Sequence, residues 1–200
     1  MGIREVFASH TYAHRMNTVF EIVGLSERVN TDPDLKLIAL AEDRLQLDAL
    51  LSFVQRQTYR RFKLQVFIPD ELSGASVPAN VELAGERPVT AGPTATTSNA
   101  PNLVGLVSAQ LQYGPDYLQD LVNATLYRPE ALGWGKSVEA DHFCFDAPTL
   151  SHASIWKAEA FSEDWLGATC LAMASPSLFV VDSDQISVPG DLVVRGGDHV

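Results

Sequence analysis

The chain has 200 residues, a 46% hydrophobic share, 20% charged residues and a net charge of -11. That length and composition describe a folded globular chain with a core of its own, and exclude a disordered segment. The negative balance argues against general nucleic-acid binding, because few cations are present to displace counterions from phosphates. No run of about 20 apolar residues offers a membrane span, and the N-terminus has no apolar signal-peptide core. The expectation is therefore a protein of the cytoplasm or of an assembled particle.

Residues 1–31 are ambiguous. Val19, Phe20, Ile22 and Val23 suggest a short strand, and Gly24-Leu25-Ser26 a turn. The organising stretch runs from Asp32 to Pro69. Asp32-Pro33-Asp34 has the composition of a helix start. Leu47, Leu50, Leu51 and Val54 recur at i, i+3, i+4 and i+7, one face of a helix. The stretch reads as one long helix, or a short strand and then a helix, leading into a strand over Phe62–Ile68 that Pro69 ends.

Residues 73–102 change character, with Gly, Ser, Pro, Thr, Ala and Asn dominating. This composition predicts a loop or arm, and a contact surface for neighbouring subunits is expected at Pro88, Pro93, Thr94, Thr96, Asn99 and Pro101. Leu103–Tyr113 alternates as a strand. Gly114-Pro115-Asp116 turns the chain into a short helix from about Asp116 to Thr125, stopped at Arg128-Pro129. Gly133-Trp134-Gly135 reads as a bend, and Val138–Phe145, Ser154–Phe161, Ser177–Asp182 and Ile186–Arg195 as strands; Trp165–Ala174 reads equally as a helix or a strand. The whole is expected to be a single α+β domain with a largely antiparallel sheet, one long helix in the N-terminal half and one or two short helices.

The chemistry-bearing residues form no recognised set. His142, Cys144 and Asp146 share one side of an expected strand, but zinc needs a fourth ligand at fitting spacing, and His152 stands alone. His10 and His14 lack the intervening Glu of a metalloprotease helix. Asp182-Ser183-Asp184 lacks the Gly and Glu of a calcium loop. Cys144 and Cys170 lie in apolar stretches and are expected as buried free thiols. No metal or cofactor is expected, and the sequence leaves any catalytic residue unassigned. Residues 1–63 carry nine Lys and Arg against eight acids, whereas residues 130–200 carry only Lys136, Lys157 and Arg195 against eleven acids. Such a dipolar layout suits contact between subunits, as a homo- or hetero-oligomer without direct nucleic-acid contact. The expected function is a non-enzymatic structural or assembly subunit of a larger complex, such as a virion or tail component.

One resemblance gives an alternative. Arg28-Val29-Asn30, the run Leu35–Leu40, a helix through Asp48, Phe67-Ile68-Pro69-Asp70, Trp165-Leu166 and Pro176-Ser177 follow an order similar to that of the NAD-degrading RES-domain toxins. The Gly pair, Trp and Tyr of that pattern are absent, and Asp48 stands where its helix carries Glu. The resemblance implies a related or degenerate scaffold, with Arg28 on a pyrophosphate and Ser177 in the pocket.

Overall fold

The computed structural model describes residues 12–24, 33–85, 102–137, 144–145, 149–161, 171–173, 176–181, 186–187 and 195–196. It has an α+β fold with three helices and a large mixed sheet among those residues. The helices are α1 (Tyr12–Ile22), α2 (Arg44–Arg56) and α3 (Tyr117–Tyr127). The strands are β1 (Leu35–Leu40), β2 (Phe62–Phe67), β3 (Val81–Ala84), β4 (Leu103–Leu106), β5 (Gln112–Tyr113), β6 (Gly133–Ser137), β7 (Cys144–Phe145), β8 (Thr149–Lys157), β9 (Leu171–Met173), β10 (Leu178–Val180), β11 (Ile186–Ser187) and β12 (Arg195–Gly196).

The main path of the sheet runs β3-β2-β1-β4-β8-β6-β10-β7. Its first four strands are all parallel, and β8 joins them antiparallel to β6 and β10. A separate pair, β5 with β11, is antiparallel. The parallel pairs accompany β1-α2-β2, because a helical connection returns the chain to its starting end.

The run Leu35–Leu40 is strand, and the helix starts later than Asp32-Pro33-Asp34 suggests. A near-continuous apolar run suits the middle of a parallel sheet, where both faces are covered in part. Asp43 is the true cap: its carboxylate accepts from the Gln46 backbone N–H at 2.8 Å, while the Gln46 side chain accepts from the Glu42 N–H at 3.0 Å. Leu47, Leu50, Phe53 and Val54 are buried against Leu37, Leu64 and Val66 on one face of the sheet. The expected strand at Val19–Val23 is instead the end of α1 and a turn, with Gly24 at φ 73°; apolar residues at i, i+1, i+3 and i+4 suit a helix as well as a strand.

α3 packs on the same face as α2. The two are tied by Gln57, fully buried, whose amide donates to the Gly114 carbonyl (2.9 Å) and accepts from the Leu118 N–H (3.1 Å). That second bond satisfies an orphan donor in the first turn of α3, where Asp116 provides no side-chain cap. Phe53, Tyr113 and Tyr117 stack between the helices, with Tyr113 ring centroids 5.0 and 4.7 Å from the other two. The Tyr117 hydroxyl is buried without a hydrogen-bond partner among the described residues, and burial holds its pKa well above the usual phenol value. Tyr117→Phe is accordingly expected to raise stability by about 1 kcal/mol, read as a higher urea midpoint at unchanged slope.

Three further expectations are corrected. Leu103–Tyr113 is not one strand: β4 ends at Leu106, and Ser108 folds the chain by accepting the Gln110 N–H on its side chain (3.2 Å) and the Leu111 N–H on its carbonyl (3.3 Å). Gly133-Trp134-Gly135 is not a bend but the start of β6, between β8 and β10. A Cβ at Gly133 would come within 2.5 Å of the Trp156 ring, so the glycine permits a close crossing rather than a turn. The strand expected from Ser154 starts earlier, at Thr149, and gives way to a 3-10 turn at Ala158–Ala160.

Candidate functional site

Strand order supplies the first functional clue. From β1 the chain crosses to β2 and then β3 on one side, and β4 lies on the other side of β1. The order 3-2-1-4 thus reverses between β1 and β4. In open parallel sheets, crevices for ligands form outside the carboxyl ends of the strands at such a reversal.

The residues at that edge follow from the register. Ile38 lies opposite Leu106, and the Val107 N–H donates to the Ile38 carbonyl at 3.0 Å. Beyond them come Ala41, Glu42 and Asp43 after β1, and Ser108, Ala109 and Gln110 after β4. Pro69, Asp70 and Glu71 follow β2. Glu42, Asp43, Asp70, Glu71 and Gln110 are exposed, and Ser108 is half-buried.

The fourth contributor is β8. It pairs with β6 regularly from Trp156 to Ser154, then slips, so that Gly135 faces Ser154 but Ser137 faces Thr149. Five residue steps on one strand oppose two on the other. The excess is a bulge over Leu150–Ala153, of the sort that re-aims a side chain near a functional site. His152 sits in it. The Tyr113 hydroxyl fixes this segment to the end of β4: it donates to the His152 carbonyl (2.7 Å) and accepts from the Ser108 N–H (2.9 Å). The His152 ring lies with Nδ1 2.9 Å from Ser151 Oγ. Burial pushes the His152 pKa down to about 4, so the imidazole is neutral at physiological pH. A neutral imidazole can accept or donate one hydrogen bond, the exposed carboxylates accept from hydroxyls, and Ser108 does either.

Sequence reading treats His152 as isolated and gives no role to Ser108, Glu42, Asp43 or Asp70. Strand pairing alone sets them along one edge of the sheet, at neighbouring strands β2, β1, β4 and β8. The residues expected at a subunit contact, Pro88, Pro93, Thr94, Thr96, Asn99 and Pro101, lie outside the described residues. So do Arg28, His10, His142, Asp146, Cys170 and the segment 182–184. Ser177 is half-buried just before β10, at a distance along the sheet from β1 and β4, and its carbonyl accepts from Leu132 and Gly133. Cys144 is a half-buried free thiol, less enclosed than expected. Among the described residues no cluster of three His, Cys, Asp or Glu could hold a metal ion, and no helix is long and apolar enough to cross a membrane. No protein-family model matches the chain, and no curated protein matches it.

Proposed function

We propose that this chain binds a small nucleoside-bearing ligand in the crevice between the carboxyl ends of β1 and β4. The observation that carries the reading is the reversal of strand order at β1/β4, with His152 delivered to the same edge by the bulge of β8. The exposed carboxylates Glu42, Asp43 and Asp70 serve as acceptors for ribose hydroxyls, the role an acid takes in other sheets of this order. Ser108 and His152 form the floor and select the base by hydrogen bonds in a half-buried setting. Nucleosides and nucleotides titrated into isotopically labelled protein are expected to shift the amide signals of Ser108, Gln110 and His152. Asp70→Ala is expected to weaken binding by about tenfold through the lost charge-assisted hydrogen bond. Silence at those three amides for every nucleoside tested overturns the proposal.

A second proposal is the assembly role. Its support is β3, which pairs with β2 on one side only among the described residues. An open strand edge is a template for another chain. A mass measurement in solution decides, since a monomer across the accessible concentration range removes this reading.

A further inference from the structure

The opposite ends of the same parallel strands form a second feature. A groove of about 860 Å³ runs across the amino ends of β1, β2 and β3. Lys36, Arg60, Arg61 and Lys63 line it together with only two acids, Asp34 and Glu82. Four cations in one groove are a marked local reversal in a chain of net charge -11.

The placement of the two lysines is the telling detail. Lys36 on β1 and Lys63 on β2 are direct register partners. Residues in register on adjacent strands project from the same face at close spacing, and like charges so placed repel. Asp34 is engaged by Arg61 at 3.2 Å. Neither Lys36 nor Lys63 has an ion pair among the described residues. Arg60 rests its guanidinium on the last carbonyls of α2, at 3.4 Å from those of Val54 and Gln55, and keeps its charge beside the groove. An arrangement that is repulsive alone becomes favourable when an anion bridges the two ammonium groups.

We infer that this groove is a binding site for a small phosphate-bearing ligand, separate from the crevice at the carboxyl edge. The volume falls within the range of small-ligand sites, and two point-charge lysines flanked by arginines match the several oxygens of a diphosphate. The inference does not depend on the crevice, which uses the other ends of the strands.

Calorimetry with inorganic pyrophosphate at low ionic strength is the test. Saturable binding is expected. Lys36→Gln and Lys63→Gln should each weaken it by about tenfold or more, while Lys36→Arg retains it and Asp70→Ala at the far edge leaves it unchanged. Both lysine-to-glutamine variants should melt at or above the parent's temperature without ligand, since a repulsion has been removed; lost binding then does not reflect unfolding. Vesicles carrying phosphatidic acid form a second arm. Capture by vesicles in addition to pyrophosphate identifies a lipid headgroup as the source, and pyrophosphate binding alone identifies a soluble phosphate. Absence of saturable pyrophosphate binding in the millimolar range, or affinity in both glutamine variants equal to that of the parent, overturns the site.

Discussion

Asp120→Ala is expected to cost about 3–5 kcal/mol of folding stability, enough to unfold a large share of a marginally stable domain. Asp120 lies on α3 and Lys136 on β6, with Nζ 2.8 Å from Oδ2 and side-chain exposures of 7% and 0%. Removing the carboxylate takes the Asp120 charge away from an ammonium buried in the layer between helix and sheet, so the offset this pair gives to its desolvation is lost. The partner substitution separates this from simple loss of packing. In Asp120→Leu combined with Lys136→Met both charges vanish and the volume is nearly kept, so much of the loss should be recovered. Urea unfolding of the parent, the single and the double variant gives the three stabilities. A double variant as unstable as the single one shows that the charge is not the cause.

The second large effect is a loss of stability in acid that traces to His152. Its folded pKa of about 4 lies below its ordinary value of 6.5. Between those values the unfolded chain holds a proton that the folded chain refuses. Stability is therefore at its full value above about pH 6.5 and falls as the pH is lowered toward 4, by a total of about 3 kcal/mol from this residue. His152→Gln should remove that portion of the slope, leaving only the part due to carboxylates. Urea midpoints of parent and variant near pH 7 and pH 4.5 check the claim, and identical slopes refute it.

Local pattern reveals part of this molecule. Leu47, Leu50 and Val54 mark α2, and the alternation from Phe62 to Ile68 marks β2, because each periodicity reports a single buried face. The same logic fails where a partner strand decides. Gly133 and Gly135 resemble a turn until Trp156 and Thr149 are seen crossing them. Lys136 gives no sign in sequence that it will be wholly buried, since Asp120 is sixteen positions away and on another element. The Leu150–Ala153 bulge is a mismatch between two strands, so neither strand's sequence contains it alone. The proposed crevice inherits that opacity: Glu42, Ser108 and His152 come from three separate segments, set along one edge by the order of the sheet.

The antiparallel strand β8 also governs the order in which the chain can be completed. It pairs with β4, β6 and β9 at once. During synthesis, β4 is finished about fifty residues before its neighbour exists. Until β8 emerges, the growing polypeptide carries an unsealed apolar edge with its main-chain donors and acceptors unspent. Such long-separation pairings slow folding and invite misassociation. On this view β8 is a late keystone, and a nascent chain stalled before Thr149 should be the species most in need of a chaperone.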